Sequence, residues 1–363
     1  MSLPGIPGAS GIGAPHAHAR IVSAHGKARL WRICALAGLV ALLVFGVLLD
    51  LLTGPAGLTL SQIRDGLMGE GDVALSIIMW QVRLPTAALA VLIGASLSLA
   101  GAEMQTILHN PLASPFTLGV SSAASFGAAL AIVVGVSLPF VPAQMAVPAN
   151  AFIFAFGAVL LIQFVAAMQG GGAGGANTLV LFGIALVFGF NALVAVLQFI
   201  APADSLQHLV FWTMGSLGSA DGTSVLGMAV VLALVVPFSL RAAHYLTLLS
   251  LGEERARSLG VNIALLRFGC LLRASLLAAV AVAFAGTIGF VGLVGPHMAR
   301  LLVGEDHRFF LPAALLSGAV LLSFSNIAAK LVLPGVVLPI GIVTSLVGLP
   351  CFLALLLWGR AQR

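Results

Sequence analysis

The chain has 363 residues, of which 60% are hydrophobic and 7% are charged, and its formal net charge is +5. A water-soluble protein carries about 25% charged residues, so this composition excludes a soluble fold. The basic excess is spread along the chain, which makes it a record of membrane orientation rather than a nucleic-acid-binding surface.

Residues 1–29 are rich in Pro, Gly, Ala and His and are expected to form a disordered cytoplasmic tail ahead of a membrane domain over 30–363. His16, His18 and His25 in this tail lack the fixed geometry that a metal site needs. The apolar run beginning near Leu30 follows basic residues and has no small-residue cleavage site after it, so it reads as a retained first span. Cutting at charges, prolines and glycine clusters predicts ten spans: 30–52, 84–108, 116–138, 144–168, 178–200, 223–241, 264–286, 288–303, 310–330 and 337–358. A helix of about 20 residues crosses the roughly 30 Å hydrocarbon layer, which most of these runs satisfy. Between Glu103 and Asp204 there is no Asp, Glu, Lys or Arg, and only His109 could titrate near neutrality. Such unbroken runs lack the alternation of a β-barrel, so the expected class is an all-α integral membrane protein. The 42 glycines fit this class, because small residues let membrane helices approach closely. Cys34, Cys270 and Cys351 fall inside spans without pairing or ligand spacing and read as packing residues.

With the N-terminus inside, thirteen of the sixteen Lys and Arg residues sit at or near the inner face, leaving only Arg64, Arg83 and Lys330 outside. The positive-inside rule therefore places both termini in the cytoplasm. A shift of 185 residues superposes Ala100–Gly101 on Ala285–Gly286, Leu108 on Leu293, Pro111 on Pro296 and Gly119 on Gly304. An odd number of spans separates the copies, as in an inverted five-plus-five repeat.

Three segments are too polar or too oddly punctuated to be simple connectors: Arg83–Val120, Leu251–Val261 and Gly286–Leu302. In LGEERARSLGV, Gly252 and Gly260 bracket a short helix-prone stretch. Leu251, Ala256 and Leu259 could face a partner while Glu253, Glu254, Arg255 and Arg257 stay wet, although a solvated connector would have the same composition. The chain holds no Walker A pattern, so any ATP hydrolysis belongs to another polypeptide. The GGGAGG run from Gly170 to Gly175 follows a span rather than a strand and reads as a flexible loop. Glu103 is a carboxylate within a span, a functional candidate that could also only reach the interface or bond Gln105 or His109. The Gly286, Gly289, Gly292, Gly295 series reads as a smooth helix-packing strip, and His297 has no ligand company.

Together, RLP at Arg83, the AG…Q…NPLA stretch, LGxxxAxxLGV, GFVGLVxPHxxR…DHR and LPIGxxTxxxGxPxF at Leu338–Phe352 resemble the FecCD family of permeases, the vitamin B12, haem and ferric-siderophore branch of ATP-binding-cassette importers. The resemblance spans about Ile33–Arg360. It implies a homodimer around a central pathway in the bacterial inner membrane, with two cytoplasmic ATPase subunits that carry ATP and Mg, and a periplasmic substrate-binding protein. No catalytic residue, metal ligand or cofactor is expected in this chain. By resemblance, Leu251, Gly252, Glu253, Glu254, Arg255, Ala256, Arg257, Leu259, Gly260 and Val261 form the ATPase-coupling segment. Arg83 and Lys330 dock the binding protein; Thr86 stands where the family often has a second Arg, and Arg64 could compensate. Asn110 and Leu112, with Ala176 and Asn177, match the loops that narrow the cytoplasmic exit. Haem or a ferric siderophore is the expected cargo, then cobalamin. An ion-coupled secondary transporter would need several intramembrane charges, and an intramembrane enzyme a nucleophile or metal motif that is missing.

Overall fold

A computed structural model of the chain describes residues 14–54, 57–69, 72–168, 175–333 and 335–361. Among the described residues fourteen α-helices follow one another: α1 (Ala14–Leu52), α2 (Leu60–Met68), α3 (Val73–Ile77), α4 (Leu84–Ile107), α5 (Val120–Ala129), α6 (Ala146–Met168), α7 (Gly175–Ile200), α8 (Ala203–Thr213), α9 (Gly222–Ser250), α10 (Glu253–Ser258), α11 (Ile263–Ala285), α12 (Val291–Val303), α13 (His307–Leu331) and α14 (Ile340–Ala361). A π-turn at Ile78–Arg83 joins α3 to α4, giving one apolar rod over Val73–Ile107. Among the described residues, seven helices are long and apolar enough to cross a membrane, and Val120–Val134, Val291–Val303 and Ile340–Ala354 are shorter apolar helices. All ten expected spans thus have a counterpart. Of the tail expected over 1–29, residues 1–13 and the side chains of His16, His18 and His25 lie outside the described residues, and the backbone from Ala14 already belongs to α1.

Several boundaries differ from those expected, each for a local reason. The second span begins at Val73, because Asp72 caps the turn with its carboxylate. The span expected over 116–138 opens on a 3-10 turn at Pro115–Leu118, and Gly119 in the left-handed region (φ 83°) separates that turn from α5. The sixth runs to Ser250 across an internal Pro237. The short helices α2 and α8 were not expected. Helix α2 carries a capping box between Thr59 and Gln62 and stops at Gly69 (φ 72°). Asp221 starts α9 by accepting from the Ser224 N–H at 2.8 Å. Bonds from Ser224 hold the Asp221 carboxyl below the usual aspartate range.

Contacts between helix ends fix the topology. Trp31 Nε1 donates to the Leu302 carbonyl at 3.0 Å and Arg32 meets Asp306 at 3.1 Å, whereas Asp50 at the far end of α1 meets Lys330 at 2.8 Å. Helices α1 and α13 therefore run side by side in the same direction. Helix α4 runs against them, since Arg83 reaches Leu51 while Thr106 reaches His307. The bundle has an Asp50 end and an α10 end.

Helix α4 is the axis of the bundle, buried almost throughout from Ala87 to Ile107 by α9, α11, α12 and α13. Lipid tails are as apolar as the side chains they replace, so close packing and internal hydrogen bonds must hold these helices together. Gly94 faces Gly318 and Gly101 faces Gly292 so closely that an added Cβ would strike backbone. Gly295 rests on Ser98, whose hydroxyl donates to the Ala314 carbonyl at 2.5 Å. The expected glycine strip thus divides: Gly292 and Gly295 pack on α4, while Gly286 (φ 67°) turns the chain against Trp212 and Gly289 lines a cavity.

Candidate functional site

Helix α10 is the most sharply defined part of the α10 end. Glu253 and Glu254 in its first turn and Arg255 and Arg257 in its last oppose the ends of its dipole. Gly260 (φ 83°) closes it: the Val261 N–H reaches the Ala256 carbonyl at 3.0 Å and the Gly260 N–H reaches Arg257 at 2.9 Å. This is a Schellman turn, with Ala256 and Val261 as its buried apolar contact. Gly252 (φ 116°) opens the helix in a conformation that a side chain would strain. Leu251 and Leu259 stand 56% and 62% exposed on either side.

Two details correct the sequence reading of this segment. Ala256 does not face a partner; it is fully buried against its own chain. Glu253 is not simply wet, because it forms an ion pair with Arg267 from the second turn of α11 and lies 3.6 Å from Arg257. Arg267 is itself buried, and its Nε donates to the Ile107 carbonyl at 3.1 Å.

The gate candidates follow directly from Ile107. His109 takes a positive φ of 47°, and its Nε2 lies 3.2 Å from the Leu249 carbonyl. The Asn110 side chain accepts from the Leu112 N–H at 2.9 Å, an Asx turn that fixes the loop at Pro111, and the Leu112 side chain is half exposed. The side chains of Ala176 and Asn177 lie outside the described residues.

A cavity of about 540 Å³ adjoins this loop, and a second of about 550 Å³ shares Phe116 and Gly289 with it in its walls. The first touches Asn110, Leu112 and Phe290, and the second runs on past Ser121, Thr287 and Ser345. Among the described residues, no charged side chain lines either one. Part of their walls comes from the irregular segments before α5 and α12, the third and the eighth apolar helices, and the rest from α7 in the first cavity and from the end of α8 and from α14 in the second. Those two short helices hold equivalent places in a five-plus-five order. Interrupted short spans at matching places in two halves are where membrane transport sites are built.

At the Asp50 end the expected docking residues are mostly internal. Lys330 pairs with the fully buried Asp50 at 2.8 Å, and Asn326 donates to the same carboxylate at 2.9 and 3.1 Å. Arg83 is 5% exposed and donates from one Nη to the Leu51 carbonyl at 2.5 Å, while its other Nη has no partner among the described residues. Arg64 is the exposed member of the trio, beside Asp65 at 3.0 Å. Thr86 turns its hydroxyl back to the Val82 carbonyl.

Inside the bundle Glu103 finds Arg273 at 3.1 Å, rather than Gln105 or His109. Arg273 also donates to Cys270 Sγ at 3.1 Å. Arg273 lies in the third turn of α11, within the span, not at the face where its charge alone would place it. Asp50, Arg267, Arg273 and His307, which bonds Thr106 at 2.8 Å, are the structurally active polar residues that sequence reasoning missed. Asp50 had a faint signal, as the one acid ending the charge-free run from Ile33. Among the described residues, no three His, Cys, Asp or Glu side chains converge on a metal site.

The family model described as the FecCD transport family matches residues 42–358. The chain is 38% identical over 332 residues to an ABC transporter permease protein of Methanocaldococcus jannaschii, covering 87% of this chain and 94% of that one. It is 39% identical over 292 residues to the hemin transport system permease protein HmuU of Yersinia pestis, covering 78% and 86% of the two chains. Among solved structures, an inward-facing metal-chelate type ABC transporter matches with a TM-score of 0.78 at 34% identity, covering 88% of this chain and 98% of the other.

Proposed function

The chain belongs to the FecCD transport family, and from that premise we propose that it is the membrane subunit of an ATP-driven importer whose cargo is an iron chelate, haem or a ferric siderophore. The carrying observation is α10: a Schellman-capped helix held to α11 by an ion pair, with Leu251 and Leu259 left exposed beside it. A rigid knob with an apolar rim suits the reception of force from a separate ATPase. On this reading the α10 end faces the cytoplasm of a cell whose inner membrane holds the protein, both termini lie inside, and two copies enclose one pathway between two ATPase subunits. ATP and Mg are then bound on those subunits.

The Phe116 cavities form this chain's share of the pathway, and the Asn110–Leu112 loop narrows its exit. Their uncharged walls suit a bulky amphipathic cargo that is passed on rather than gripped. Alternating access follows when ATP-driven closure of the ATPases moves α10. A periplasmic binding protein loads the opposite end; there Arg64 is its accessible basic contact, with Lys330 and Arg83 close beneath the surface. Such charges would set orientation and encounter rate.

A reconstituted system of permease, ATPases and binding protein in proteoliposomes, offered haem, a ferric hydroxamate and cobalamin in parallel, tests the substrate. Haem or the ferric chelate should accumulate. Accumulation of cobalamin alone would overturn the iron-chelate assignment.

A further inference from the structure

We infer that Arg267 is a positioning residue that transmits movement of the ATPase-contacting helix to the exit gate. The inference rests on the coupling and gating roles proposed above, and adds the linkage between them.

The guanidinium spans the two parts directly. One Nη pairs with Glu253 in the first turn of α10, and Nε donates to the Ile107 carbonyl at 3.1 Å, at the last residue of α4. The next residues, from Leu108 to Leu112, are the gate loop. A guanidinium is a rigid planar fork, so fixing two of its edges fixes the angle between what they hold. Because Arg267 is buried, water cannot readily replace either bond, and both are charge-assisted.

A second tie runs parallel to the first. His109 Nε2 meets the carbonyl of Leu249, two residues before the Leu251–Gly252 entry to α10. His109 sits in the left-handed region, which a non-glycine residue holds only when its surroundings impose it. The start of the coupling segment is thus tied twice, its entry to the gate loop through His109 and its first helical turn to the end of α4 through Arg267. A rotation of α10 pulls on Glu253, tilts the guanidinium and shifts the carbonyl end of α4, so the loop moves with the knob rather than after it.

The test needs no transported substrate. Permease and ATPase subunits are assembled in nanodiscs, Leu112→Cys is introduced, and its labelling rate by a fluorescent maleimide is measured with and without ATP plus vanadate, against the same protein lacking that cysteine. With Arg267 present, the labelling rate should change about tenfold between states, the scale of one charge-assisted hydrogen bond. In Arg267→Gln the change should fall below about twofold while the ATPase stays bound, and Arg267→Lys, which can still meet Glu253, should recover part of it. A full response in Arg267→Gln with ATPase bound overturns the linkage. Should that variant fail to fold, Glu253→Gln decides, since it weakens the pair and leaves the Ile107 bond: a reduced response supports the linkage and an unchanged one overturns it. The parent reading fails differently, by Leu259→Asp leaving ATPase association intact.

Discussion

At the Asp50 end, Lys330 and Arg83 are turned inward, one onto a fully buried carboxylate and the other onto a backbone carbonyl, and only Arg64 stands in the open. At the α10 end charge is also turned inward, with Glu253 and Arg267 forming the inner tie, but two leucines are left uncovered at the surface beside it. The first end spends its charges on holding α1, α4 and α13 together, where an unpaired charge would be costly. The second end uses charge to stiffen a small element whose apolar rim remains free. A basic residue at a helix end therefore does not reveal by its position whether it binds a partner or braces a fold.

Substitutions can break this contrast, beginning with the largest effect. Asp50→Ala would leave Lys330 buried without its partner and should cost about 3–5 kcal/mol, read from thermal unfolding of the detergent-solubilised protein. Ala256→Leu forces volume into the closed turn of α10 and should cost about 1–3 kcal/mol. Leu259→Ala, a few residues away on the open rim, should leave unfolding unchanged but weaken ATPase association about tenfold in a binding titration.

Asp221→Ala removes the cap of α9 and should cost about 1 kcal/mol. Its folded-state pKa is depressed, so its contribution is present above the unfolded aspartate value and is lost as pH falls through the lower folded one. Wild type and Asp221→Ala should therefore converge in unfolding temperature only in strongly acidic buffer. Arg64→Ala should be the mildest, within about 0.5 kcal/mol, because its pair with Asp65 is exposed. Its effect should appear instead as a slower association rate with the binding protein at low salt. A large stability loss in Arg64→Ala, or none in Asp50→Ala, would erase the difference between the two ends.

Much of the fold was legible because long apolar stretches, cut at charges, prolines and glycine clusters, mark the spans, and α10 because Gly252 and Gly260 sit where a short helix must start and stop. The facing of Ala256 was not, since a small residue fits either side of a helix and only the Schellman contact with Val261 decides it. The partner of Lys330 lies 280 residues away at Asp50, and nothing local to either reports the pairing. Arg273 read as an interfacial charge because composition cannot see Glu103 waiting on another helix. The short helices α2 and α8 escaped for the opposite reason: few residues and no long apolar run, with α2 marked only by its Thr59 cap and α8 preceded by Pro202.

The central claim is that this chain moves cargo with work done by a separate ATPase. It is tested most directly by measuring haem uptake into proteoliposomes holding the full assembly, with ATP supplied and ion gradients collapsed by ionophores, and again with gradients imposed but ATP withheld. Uptake should persist in the first condition and vanish in the second. Uptake driven by an ion gradient without ATP would contradict the account.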